Sequence, residues 1–192
     1  MNIICDNFPN ALDIGGEMFK INSDLKTWLK VTQTIEEETD NITKVINIIN
    51  LVFPPQTLPK KLDETLNAII KFYCGNNSEV NRAKGKENAN KKRIVSFWTD
   101  SDYIYCAFLS QYGIDLLQSD MHWWKFLALF SGLSGEHRIL KIMEWRGADL
   151  SKIKDKAVRS QIRTMQRLYK LPELKGKVLE DSEIAEVFAN AF

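Results

Sequence analysis

Histidine is nearly absent from this 192-residue chain, which has only His122 and His137, and cysteine is confined to Cys5, Cys74 and Cys106. Neither histidine falls in an H-x-x-x-H or H-E-x-x-H spacing, the arrangement that brings two metal ligands onto one helical face. Three cysteines with no C-x-x-C spacing argue against a disulfide framework and against a zinc site, so they read as reduced, mostly buried thiols. No phosphate-cradling G-x-x-x-x-G-K-[ST] and no G-x-S-x-G nucleophile turn occurs, and Gly15-Gly16 lacks the further glycines of a dinucleotide fingerprint. The expectation is a protein that is not an enzyme and has no cofactor, no metal and no small-molecule substrate. Apolar runs such as residues 126–130 fall far short of the roughly 18 residues that span a bilayer, so no membrane helix is expected. The opening "MNIICDNFPNALD" has neither a positive n-region nor an apolar h-region, so the expectation is a chain that stays in a cytoplasm. With 26 basic and 25 acidic residues, its net charge of +1 favours neither nucleic acid nor a membrane surface, and any charge argument must be local.

What is present is amphipathic helix, preceded by one turn signal. In "ALDIGGEMFKI", Gly15-Gly16 lies between two short alternating runs, as in a two-residue β-hairpin. Pairing across it sets Leu12 opposite Phe19 and Ile14 opposite Glu17, so Leu12, Ile14, Phe19 and Ile21 share a face that must rest on helices. After the Ser23-Asp24 cap, Leu25, Trp28, Leu29 and Thr32 recur at helical spacing. A second stripe, Ile42, Val45, Ile46 and Ile49, runs up to Pro54-Pro55, and a third, Leu62, Leu66, Ile69 and Tyr73, stops at Gly75.

Residues 75–93 carry only three apolar side chains and read as a flexible basic linker. It divides a hairpin-plus-helix lobe over residues 1–74 from an aromatic-rich helical lobe over residues 94–192. In that second lobe, Thr99 or Asp100 caps a helix with Tyr105, Phe108, Leu109 and Tyr112 on one stripe. Asp102, Asp115 and Asp120 likewise read as helix-start carboxylates that satisfy free N–H groups. "EHRILKIMEW" supplies another helix, and "SEIAEVFANAF" a last amphipathic turn or two. The fold class is therefore mainly α, a multi-helix bundle with a short N-terminal β-hairpin.

Two segments stand out as candidate binding surfaces. A helix beginning at Ser119-Asp120 places Trp123, Phe126, Leu127 and Phe130 on one broad face, the core stripe. Trp124 and Leu129 fall on other sides, beside Lys125, and His122 reads as a satisfied polar edge. A helix apolar over so much of its circumference is either central in its own fold or covered by another chain, which makes Trp124 and Leu129 candidate partner contacts. Residues 152–170 hold seven basic residues against one acid, Asp155. Lys152, Lys156, Arg159, Arg163, Arg167 and Lys170 recur at steps of three or four beside a stripe of Val158, Ile162, Met165 and Tyr169. Such a row suits a solvated face, an acidic protein partner or, less well given the balanced charge and missing recognition motif, nucleic acid.

The segments "IGGEMFKINSDLKTWLKV", "FYCG", "DSDYIYCAFLSQYGIDL", "MHWWKFLALFSGLS", "KIMEWR", "DLSKIKDK" and "RLYKLP" together carry a resemblance. The chain resembles the phage proteins encoded between the major tail protein and the tape-measure protein of long-tailed phages and prophages of Gram-positive bacteria. The matching text covers most of the chain, leaving out the linker and the residues after Pro172. The resemblance implies a tail-assembly chaperone that coats the tape-measure protein in the host cytoplasm, associates with itself, and uses no catalytic residues. A structural component of the tail or its connector is the alternative within the same setting, and a nucleic-acid-binding module using residues 152–170 the alternative outside it.

Overall fold

A computed structural model of the chain describes residues 5–37, 39–55, 57–75 and 92–173. Their regular elements are β1 (Ala11–Ile14), β2 (Glu17–Lys20), α1 (Leu25–Glu36), α2 (Asn41–Val52), α3 (Leu62–Tyr73), α4 (Ser101–Tyr112), α5 (Trp123–Ser131), α6 (Arg138–Gly147) and α7 (Lys156–Leu168). The protein is mainly α with an N-terminal antiparallel hairpin, as its patterning requires.

The hairpin has the expected register, Leu12 opposite Phe19 and Ile14 opposite Glu17. Gly15 and Gly16 take φ of 64° and 86°, a conformation a side chain would strain, and the Asp13 carboxylate accepts the Gly16 N–H at 2.9 Å. Leu12, Ile14 and Ile21 are buried, and Phe19 sits edge-on to Phe53. Resting on α3, this two-stranded element avoids the marginal stability of a hairpin alone.

Asp24 caps α1 by accepting the Thr27 N–H at 2.9 Å, and Leu25, Trp28, Val31 and Thr32 face inward. The aromatic interior is built around Trp28 and Trp123, both fully buried. Their rings stack at 6.2 Å, Tyr73 stacks on Trp123 at 5.5 Å, and Phe97 stands edge-on to Trp123, Phe126 and Phe130 at 5.2–5.5 Å. Each such side chain stabilises the fold by roughly 1.5–3 kcal/mol through burial. Residues before 75 and after 93 thus share one hydrophobic core.

Residues 76–91 and 174–192, on which most of the linker reading and the last amphipathic segment fall, lie outside the described residues. Several other expectations are corrected. The helix bearing Trp123 starts at Trp123, not at Ser119-Asp120, because the residues before it pair with the chain ahead of α1. Leu25 N–H donates to the Met121 carbonyl at 2.7 Å, and Trp123 N–H to the Ser23 carbonyl at 2.8 Å. A backbone committed to that extended pairing is unavailable to a helix. Residues 152–170 are helical only from Lys156 to Leu168, because Asp155 takes the cap by accepting the Ala157 and Val158 N–H groups.

The inward face of α4 is Ile104, Ala107 and Phe108, while Leu109 points to solvent. On α2 the core takes Ile48 and Val52, leaving Ile42 and Ile46 at 74% and 52% exposure. Cys5 and Cys106 are exposed and Cys74 half-buried, so the thiols are not core groups.

Candidate partner-binding surface

On α5, Trp124 is half-buried: its indole N–H donates to the Phe72 carbonyl at 2.8 Å and its ring leans on Phe72 at 5.3 Å. Leu129 packs partly buried against the core, and its carbonyl accepts the Tyr112 hydroxyl at 2.8 Å. Lys125 is exposed between them in sequence. The two apolar candidates are therefore held by their own chain, each with an edge left at the surface.

His122, read as a polar edge, is the cap of α5. Its Nδ1 accepts the Trp124 N–H at 3.0 Å and its Nε2 lies 2.9 Å from the Pro9 carbonyl, to which it must donate. Phe8 stacks on the ring at 4.8 Å. Both nitrogens are engaged, so the neutral imidazole fits, and loss of solvation lowers its pKa from the ordinary value while the Pro9 bond opposes that shift.

Helix α7 differs from the other six described helices in burying none of its residues. It leans on α6 through polar and ring contacts. Gln166 donates to the Trp145 and Ala148 carbonyls at 2.8 Å, and Tyr169 stacks on Trp145 at 5.6 Å with the Arg138 guanidinium over both rings. Ile162 and Met165 are half-covered, while Val158 and Leu168 are 45% and 67% exposed.

The basic row of residues 152–170 splits in the structure. Lys152 lies ahead of the helix beside Asp149 at 3.8 Å, and Arg159 turns back to donate twice to the Ile153 carbonyl. Lys156, Arg163 and Arg167 stand exposed on α7, with no acidic partner among the described residues. The α5 candidates and the α7 candidates thus form two sets, α5 packing on α1 and α7 on α6.

Sequence reasoning missed two features. One is the outward apolar stripe on α2. The other is Asp100, expected to cap α4, which instead forms a buried bidentate pair with Arg146 at 2.6 and 2.8 Å. Arg146 also donates to the Tyr169 and Ile94 carbonyls, so one guanidinium ties α4, α6 and the chain on either side of them together. Beside it, a cleft of about 230 Å³ is lined by Lys92, Arg93, Lys170 and Glu173 among others. Its Arg93 pairs with Glu36 and its Lys170 with Glu173, so that charge is already used within the chain.

Among the described residues no group of three or more His, Cys, Asp or Glu is placed to hold a metal ion, and no helix is long and apolar enough to cross a membrane. Buried Asp100 and Arg146 tie helices together, and buried Thr32, Thr34 and Thr65 donate to carbonyls four residues back. The molecule is a helical scaffold with a closed aromatic core and a set of incompletely covered outer helices. The Bacteriophage Gp15 protein family matches over residues 4–171, and the chain belongs to that family. Comparison with curated proteins and with solved structures gives no match.

Proposed function

We propose that this bacteriophage protein is a tail-assembly chaperone that binds the tape-measure protein in the host cytoplasm and keeps it soluble until tail subunits replace it. The observation that carries the reading is the apolar helical surface the fold leaves outward: Ile42 and Ile46 on α2, and Val158 and Leu168 on α7 beside the exposed cations Lys156, Arg163 and Arg167. A tape measure is a very long helical chain whose apolar stripes aggregate unless covered, and exposed apolar helix faces match such stripes. Many copies, each with a modest contact, would cover the target and still come off. The exposed edges of Trp124 and Leu129, with Lys125, supply a separate contact on α5, and self-association along the target uses whichever faces the target leaves free.

Co-expression tests this reading. The tape-measure protein should be soluble with the wild-type chain and insoluble without it, and an Ile42→Asp/Ile46→Asp variant should lose the effect while keeping its own fold. Equal solubility with and without this chain would dismiss the reading. Stoichiometric presence in purified virions would favour a structural tail component instead.

A further inference from the structure

One imidazole joins three segments of the chain. The His122 ring is stacked on Phe8 at 4.8 Å and stands edge-on to Phe72 of α3 at 5.8 Å. One of its nitrogens bonds to the Pro9 carbonyl and the other to the first turn of α5. We infer that His122 is a proton-operated latch: neutral, it holds the outer side of the α5 first turn, and protonated, it lets go of Trp124 while staying with Phe8 and Pro9.

The bonding pattern allows a single closed form. The Trp124 N–H is a donor, so Nδ1 must be bare, and the Pro9 carbonyl is an acceptor, so Nε2 must carry the hydrogen. A proton taken up by the closed ring has only Nδ1 to go to, where it meets the Trp124 N–H and the positive end of the helix dipole. Two donors then face each other across 3.0 Å, and the cap is lost. On the other side the charge is welcome. The Pro9 carbonyl keeps its donor, now a charged one, and the face of Phe8 attracts an imidazolium. The ring therefore parts from α5 and not from the N-terminal segment.

The charged and titratable side chains on the segments around the ring are Asp6 ahead of Phe8, Asp24 across the extended pairing, Lys71 and Cys74 on either side of Phe72, and Asp120 and Lys125 along its own stretch of chain. Asp24 is taken by the Thr27 N–H. None of them sets the titration: loss of solvation lowers the His122 pKa and the Pro9 bond opposes that shift. Release returns the ring to water, where it takes up a proton more readily, so falling pH favours the open form.

Opening is confined to one side of the turn. Trp123 is fully buried with its N–H on the Ser23 carbonyl, and the Phe126 N–H bonds to the His122 carbonyl, not to the ring. Trp124 is half-buried, and its N–H and the indole bond to Phe72 are what loosen. The latch concerns the free chain and stands whichever partner the protein has. Its consequence rests on the proposed function: a Trp124 edge set in place by the closed latch is a firmer contact than one on a loosened turn, so acid weakens that contact.

NMR and amide hydrogen exchange on the full chain alone, from pH 7.5 down to about 5, test it. The His122 ring resonance should titrate with its midpoint below the ordinary value of 6.5. Corrected for the intrinsic effect of pH on exchange, protection of the Trp124 amide should fall at least about tenfold over that titration, while the Phe126 amide keeps its protection. The Trp124 indole N–H should follow the Trp124 amide. In His122→Asn, whose side-chain oxygen caps the helix without titrating, Trp124 protection should not change with pH. Trp124 protection that holds through the His122 titration, the same fall in His122→Asn, loss at Phe126 together with Trp124, or a ring that stays neutral until the whole chain unfolds would each overturn the inference.

Discussion

The centre of the molecule and α7 put their apolar and polar side chains to opposite uses. Around Trp123, rings stack on every side and the polar atoms they carry are spent inside the chain: Trp123 donates to the Tyr73 carbonyl, Trp28 to Asn22 and Trp124 to Phe72, all at 2.8–2.9 Å. On α7 the apolar stripe is half-covered and three cations face outward. The first arrangement is stiff and specific to this fold, because a buried indole gains area and a hydrogen bond that no other chain can offer. The second leaves apolar area and charge at the surface. A helix of high amphipathicity with no buried residue is a surface in want of a neighbour.

The sharpest way to break the contrast is to empty the centre. Trp123→Ala removes the ring that Trp28, Tyr73, Phe97 and Phe126 all touch, and should cost about 3–5 kcal/mol in denaturant unfolding. A cost below about 1 kcal/mol would mean that the core is not continuous across residues 75–93. Arg146→Met should be comparably severe, about 3–5 kcal/mol, because it strands the Asp100 carboxylate in the interior. The double variant Asp100→Leu/Arg146→Met should recover most of that loss, which separates the cost of an orphaned charge from the value of the pair.

His122→Ala, which removes the α5 cap, should cost about 1 kcal/mol. The same histidine predicts a pH dependence. Its folded pKa lies below the unfolded value of 6.5, so the unfolded state takes up the proton first. Its contribution is complete above that value and is lost as pH falls below it. Stability measured from pH 7.5 down to 5.5 should therefore decline, and should decline less in His122→Asn, where a non-titrating side chain keeps the cap. At the other extreme, Arg163→Ala/Arg167→Ala should leave stability within about 0.5 kcal/mol while weakening any acidic docking partner. A large loss of stability there would show that α7 belongs to the core after all.

The local signals that survived folding are those that depend on backbone chemistry alone. Gly15-Gly16 forced a two-residue turn and with it the register, Asp24 and Gly75 bounded α1 and α3, and proline ended α2 near the expected place. Faces were read less well. On α2, Ile42, Val45, Ile46 and Ile49 make as good a stripe as the one that is buried, since isoleucines recur around most of that helix. Which side turns inward depends on α1, its neighbour. Asp100 shows the same limit: a carboxylate at a helix start satisfies the capping pattern whether or not an arginine 46 positions later folds onto it. Among the candidate site residues, the exposure of Lys125, Arg163 and Arg167 was legible, since charged side chains seldom enter a core. The anchoring of Trp124 by Phe72 and the diversion of Arg159 to Ile153 required knowing what lay beside them.

Composition, turn chemistry and helical periodicity by themselves determined a mainly α chain, its hairpin, and the aromatic identity of its interior. Those features follow from the geometry of consecutive residues and from the free energy of removing large rings from water. Only the tertiary structure decided where α5 begins, which stripe of α2 faces solvent, and that α7 lacks a buried face. Each of these is settled by contact with a segment far away in the chain, and periodicity along one helix holds no record of its neighbours.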